Sequence, residues 1–147
     1  MTESIPIKPE IDYTACDVLI HEIIDAATVY MQHDRTEIER VLLDTYHFAR
    51  AAHHGQLRKS GDPYIIHPLE AAKILLVLKP DIVSIQSCLL HDVIEDTQYE
   101  KEDIEEKFWP EVAIICEWLS KLSAIRYRGE ERSVESLRKM FIAMVDD

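Results

Sequence analysis

Glycine occurs only three times in the 147 residues, at positions 55, 61 and 129, and two of these fall within GQLRKSGDPYIIHP, residues 55–68. Few positions are therefore free to take positive φ, so tight hairpin turns must be scarce. On both sides of that stretch Leu, Ile, Ala, Glu and Lys recur at spacings of three and four, the period of helices that bury one face. The expectation is an all-α domain with one main interruption. That interruption also carries Pro63 and Pro68, so it cannot be a continuous helix.

The helix breakers place the segments. A first amphipathic helix is expected over residues 13–32, and a second over residues 36–53, where Ile38, Val41, Leu42, Tyr46 and Ala49 share one face. Pro68 suits the first turn of a third, running over residues 69–78. Lys79 and Pro80 end it, and Asp81 is a good N-cap for a fourth that continues to about residue 96. A shorter helix is expected over residues 101–108, and Pro110 can open the next, EVAIICEWLSKL. A final helical pattern covers residues 133–145 and meets no stop signal.

Composition narrows the function classes. With 47% hydrophobic residues the chain can bury a core of its own. No apolar run approaches the ~20 residues of a membrane span, and MTESIPIKPEID lacks the form of a signal peptide. A soluble cytoplasmic protein without a membrane partner is expected. A formal charge of −12 argues against a nucleic-acid partner, because tracking phosphates needs a positive stripe. It leaves room for a small anionic ligand held by a few local cations. Cys16, Cys88 and Cys116 are widely spaced among apolar neighbours, the pattern of buried reduced thiols.

The densest chemistry lies in LLHDVIEDTQ, residues 89–98. On a continuous helix His91, Asp92, Glu95 and Asp96 fall within an arc of roughly 140°. His91 and Asp92 can both reach one cation above the helix end, and an imidazole with a carboxylate suits Mn, Fe or Zn. Glu95 and Asp96, one turn on, could accept a proton from water there. A charged helix end in solvent would look similar, but His91 follows the apolar turn SCLL, where an unpaired carboxylate nearby is costly. One helix supplies too few ligands, and His67, made locally stiff by Pro68, is the best further candidate. His53 and His54 end a helix, where a cation also suits the helix dipole, and a structural role is expected for both. Arg58, Lys59 and Ser60 lead into a glycine turn and could neutralise an anion beside the cation.

Three stretches in order, His53-x-Gly55-Gln56, the run Arg58-Lys59-Ser60-Gly61-Asp62-Pro63-Tyr64-Ile65-Ile66-His67-Pro68, and Leu90-His91-Asp92-Val93-Ile94-Glu95-Asp96-Thr97, closely resemble the hydrolase domain of the Rel/Spo alarmone enzymes. These are HD-domain, metal-dependent phosphohydrolases. The similarity extends through Phe108, Glu111-Val112-Ala113, Lys121-Leu122 and Arg138-Lys139-Met140, so it covers about residue 37 to the end, after a helical lead-in over residues 1–36. The resemblance implies an all-α HD fold and Mn²⁺-dependent removal of the 3′-pyrophosphate from guanosine tetra- or pentaphosphate, giving GDP or GTP. It implies His67, His91 and Asp92 as metal ligands and Glu95 and Asp96 as the pair that orients or deprotonates water. It further implies Arg58, Lys59 and Ser60 in the loop that holds the nucleotide.

The chain departs from the family in three places. Trp109 and Trp118 stand where glycine is usual, which suggests altered packing under the site, and Ser120-Lys121-Leu122 replaces Thr-Lys-Leu. The family's fourth ligand, an aspartate, belongs to a helix beyond Asp147. The expectation is a fragment, impaired or metal-poor by itself, of a long bifunctional enzyme whose synthetase domain follows the hydrolase. Two alternatives stay open: an HD phosphohydrolase for another nucleotide, and a non-catalytic regulatory HD domain of a synthetase.

Overall fold

A computed structural model describes residues 10–126, with side chains described through Leu119. The order is α1 (Thr14–Tyr30), α2 (Arg35–Ala52), α3 (Ile66–Leu75) with a 3₁₀ turn (Leu76–Leu78), α4 (Ile82–Leu90), α5 (Val93–Asp96), α6 (Lys101–Lys107) and α7 (Pro110–Arg126). No strand occurs among the described residues. The all-α expectation therefore holds, and the expected helix over residues 133–145 lies outside the described residues.

α4 is the central element. Seven of its nine residues, Ser84 through Leu90, are buried, because α2, α3 and α7 all pack around it. Its sequence IVSIQSCLL has no charged residue, as a helix enclosed on every side requires. α1 packs on α2 and α3 and contributes Cys16, Ile20, Ile23, Ile24 and Ala27 to the same core. All three cysteines are buried and free, as their apolar neighbours predict.

The breakers act where the sequence places them. Asp81 caps α4, its carboxylate accepting the Ser84 N–H at 2.8 Å. Lys79 turns the chain by adopting a left-handed conformation, φ 50°. A capping box formed by Glu100 and Asp103 starts α6.

The fourth helix is a correction to the sequence reading: it stops at Leu90, and a separate short turn of helix, α5, resumes at Val93. A continuing helix would offer the carbonyls of Ser87 and Cys88 to the N–H groups of His91 and Asp92. Side chains take them instead. The His91 Nδ1–H donates to the Cys88 carbonyl at 2.5 Å, and the Cys116 thiol lies 3.7 Å from that of Ser87. The backbone keeps right-handed dihedrals through the gap, so the chain continues forward with its hydrogen-bond ladder interrupted at His91 and Asp92.

Trp109 and Trp118 lie at the surface, 55% and 61% exposed, and neither belongs to the buried core.

Candidate metal centre

Residues 53–65 form a folded arm between α2 and α3. Gly55, at φ 88°, turns the chain out of α2, and Gly61, at φ 91°, turns it back. The two sides are joined by Tyr64 N–H to the Gln56 carbonyl at 2.9 Å and Arg58 N–H to the Asp62 carbonyl at 2.8 Å. Arg58, Lys59 and Ser60 occupy the tip, while Tyr64 and His67 return to the body of the fold.

His67, near the start of α3, meets His91 and Asp92 at the gap between α4 and α5. One ligand-type atom from each lies within 4.8 Å of the others. Asp92 Oδ2 is the hub: it sits 3.1 Å from His91 Nε2, 3.7 Å from His67 Nε2 and 2.7 Å from the Tyr64 hydroxyl. Because a carbonyl can only accept, the bond to Cys88 fixes the His91 proton on Nδ1 and directs Nε2 at the cluster. Two imidazoles and one carboxylate within this span fit a borderline divalent cation, so the donor set passes the chemical test for a metal.

The electrostatics separate the carboxylates. Burial favours a neutral Asp92, but the His91 and His67 imidazoles and the Tyr64 hydroxyl outweigh it and hold the carboxyl well below the usual range. Burial likewise opposes a charged His91, yet Asp92 overcomes it and raises the imidazole above its ordinary value. At His67 burial prevails, helped by the charges of His91 and Arg58, and the value falls. Glu95 and Asp96, although at the surface, are both raised, first by partial loss of solvent around the carboxyl and then by neighbouring carboxylates. One group stays firmly ionised while its neighbours hold protons more readily, the divergence that assigns different duties within a site.

The predicted residues are thus brought together unequally. His67, His91 and Asp92 form the cluster, and Asp96 is linked to it through Tyr64, whose hydroxyl lies 3.2 Å from Asp96 Oδ2. Glu95 lies beside them on the exposed side of α5. Arg58 approaches Glu70 to 4.0 Å and acts electrostatically on His67. Lys59 is exposed at the tip, and the Ser60 hydroxyl donates to Asp62 at 3.0 Å.

Three residues gained roles that spacing did not reveal. Tyr64 bridges two carboxylates, and burial together with Asp92 raises its hydroxyl far above the ordinary value, leaving it a permanent donor. Gln56 donates from Nε2 to the Asp96 carbonyl at 2.9 Å. His53 is 2% exposed, its ring 4.8 Å from that of Tyr64 and its Nδ1 3.1 Å from Gln56 Oε1. Its buried Nε2 has no hydrogen-bond partner among the described residues, an arrangement that costs about 1–3 kcal/mol. All three lie in the quoted motif, which was the one available signal. His54, by contrast, is exposed and meets the Tyr13 hydroxyl at 3.1 Å.

Half-buried His67 from α3 and buried His91 and Asp92 from the end of a central helix converge in an all-helical fold, a donor set that suits a divalent cation. Residues 45–147 match the HD domain family, and the chain belongs to it. Over 130 residues it is 42% identical to guanosine-3′,5′-bis(diphosphate) 3′-pyrophosphohydrolase of Vibrio cholerae, covering 88% of this chain and 18% of that protein. It is 44% identical over 119 residues to the bifunctional (p)ppGpp synthase/hydrolase SpoT of Escherichia coli, covering 80% and 16%. A GTP pyrophosphokinase of Myxococcus xanthus is 43% identical over 124 residues, covering 82% and 16%. The chain therefore spans less than a fifth of the length of these relatives. Among the described residues no helix is long and apolar enough to cross a membrane.

Proposed function

We propose that this domain hydrolyses the 3′-pyrophosphate of guanosine tetra- or pentaphosphate, releasing pyrophosphate and GDP or GTP. The observation that carries the reading is the convergence of His67, His91 and Asp92 atoms within 4.8 Å, beside a carboxylate pair of raised pKa. The names of the relatives supply the substrate class.

His67, His91 and Asp92 would hold a divalent cation, which we take to be Mn²⁺. When bound, such an ion neutralises phosphate charge and acidifies water. The protein's own residues account for the remainder. Glu95 or Asp96 takes the proton of the attacking water as its oxygen bonds to the phosphorus next to the ribose 3′-oxygen. The 3′-oxygen leaves with the electron pair of the broken bond and regains a proton. Raised carboxyl values suit both halves of this exchange. Arg58 and Lys59 take up phosphate charge at the tip of the arm, and Ser60 contributes a hydroxyl once Asp62 releases it. In the parent protein a synthetase domain of the same chain is the expected partner, in keeping with the bifunctional relatives.

The test is metal analysis together with an assay of pyrophosphate released from guanosine tetraphosphate with added Mn²⁺. Product at the 3′ position supports the reading. Equal turnover of nucleotides lacking the 3′-pyrophosphate would replace it with a general HD phosphohydrolase.

A further inference from the structure

The acid pair and the substrate arm belong to different parts of the chain, and one side chain joins them. Gln56 sits at the base of the arm, where its carbonyl accepts the Tyr64 N–H. Its amide Nε2 reaches across to the carbonyl of Asp96, at the end of α5. Since that carbonyl can only accept, the amide orientation is fixed, and Gln56 Oε1 faces His53 Nδ1 at 3.1 Å. An amide oxygen also only accepts, so His53 must carry its proton on Nδ1. The consequence is visible on the other side of the ring, where Nε2 is an enclosed lone pair with no donor among the described residues. A histidine serving only to fill space would not need to leave that atom unpaired.

We propose that Gln56, oriented by His53, is a positioning residue that ties the Glu95–Asp96 segment to the base of the phosphate-binding arm. α5 is only four residues long and follows an interrupted ladder, so its own backbone holds it weakly. The main external restraints on Asp96 are then the Gln56 amide at its carbonyl and the Tyr64 hydroxyl at its carboxylate. Both come from the arm that carries Arg58 and Lys59. The arm and the groups that handle water are thereby held in one fixed arrangement. Gln56 acts through its neighbours rather than on nucleotide or metal, and its activity readout rests on the hydrolase reading above.

The experiment compares Gln56→Ala, Gln56→Glu, His53→Asn, His53→Gln and His53→Ala in the full-length protein, with kcat and KM for pyrophosphate release normalised to the folded fraction. Gln56→Glu keeps the shape and removes the donor. Asparagine can present its amide N–H near the place of Nδ1, whereas glutamine places its amide near Nε2. Both Gln56 variants are expected to lose about 10–100-fold in kcat with KM little changed, the usual range for groups that orient a reactive side chain. His53→Asn should retain most activity, and His53→Gln should fall with His53→Ala. Unchanged kcat in Gln56→Ala, or no advantage of His53→Asn over His53→Ala, would overturn the tether. Nitrogen-15 NMR supplies a readout independent of turnover: a proton on His53 Nδ1 supports the proposal, and one on Nε2 refutes it. If the wild-type protein releases no pyrophosphate, the hydrolase reading fails, and the NMR result alone decides the tether.

Discussion

Two irregular turns join the helices on either side of α3, and they solve the same chain-reversal problem with opposite results. The arm between α2 and α3 uses Gly55 and Gly61 at positive φ and carries Pro63 in its return. The turn between α3 and α4 uses Lys79 at φ 50° followed by Pro80. In the second, the polar groups close on the fold itself: the Tyr30 hydroxyl donates to the Pro80 carbonyl at 2.8 Å, and Asp81 caps α4. In the first, Gln56 and Tyr64 reach beyond the turn to Asp96 and Asp92, and His67 joins them from the first turn of α3. A turn becomes part of a site when its side chains are left over after its backbone is satisfied.

The sharpest way to break this contrast is to remove what the arm reaches for. Asp92→Ala deletes the hub of the cluster and is expected to lower metal affinity by more than about 100-fold, beyond the loss typical of an orienting group, and to abolish hydrolysis. Calorimetric metal titration and the pyrophosphate assay measure the two effects. Unchanged activity would leave a regulatory domain as the better description. Tyr64→Phe is milder, since it keeps the ring against His53 and removes only the donor to Asp92 and Asp96. A loss of about tenfold in metal affinity is expected, with the thermal midpoint nearly unmoved.

These expectations also show what the sequence could and could not reveal. Helix positions were legible because burial on one face imposes a period and because Pro, Gly and Asp stop or cap the chain at fixed places. Asp81 is the clear example, since its capping role depends only on its neighbours. The break at His91 was not legible, because it depends on competition for two carbonyls by His91 itself and by Cys116, a residue from α7. The trio His67, His91 and Asp92 was legible through motif and chemistry. Tyr64, by contrast, read as one residue of a motif, because only the folded arm places its hydroxyl between two carboxylates. Trp109 and Trp118 suggested altered packing because they stand where the family has glycine, and only the fold shows that both lie at the surface.

The comparison sharpens with pH inside the cluster. In metal-free protein His91 is raised above the ordinary 6.5, because Asp92 outweighs burial, while His67 is lowered below it by burial and by His91. Histidine-resolved NMR should find the two imidazoles titrating on opposite sides of 6.5. The stability contributions then have opposite signs. That of His91 is fully present below 6.5 and is lost as pH rises through its folded value. That of His67 is unfavourable at acid pH, the loss beginning as pH falls below 6.5. Asp92 adds stability above 3.8 that is lost as acid reaches its depressed folded value. Added divalent metal should suppress both imidazole titrations, and persistence of either would exclude that histidine as a ligand.

The smallest effects are expected at the closing turn, and their smallness is what the contrast demands. Asp81→Ala removes a formed cap and should cost about 1 kcal/mol, lowering the thermal midpoint by a few degrees. Lys79→Gly should act the other way. A side chain in the left-handed region costs about 1–2 kcal/mol, but glycine gives back part of that gain through its freer unfolded chain, so a net stabilisation below about 1 kcal/mol is expected. Gly61→Ala is the matching change in the arm. Among the described residues no heavy atom lies within 4 Å of the added Cβ, so its φ of 91° is what opposes the substitution. It should destabilise by a similar small amount, yet also raise KM, because the strained residue adjoins Arg58, Lys59 and Ser60. Denaturant unfolding and steady-state kinetics on the three variants separate the turns: stability changes in all of them, and KM only in Gly61→Ala. A KM change of equal size in Asp81→Ala or Lys79→Gly would mean that the closing turn communicates with substrate after all.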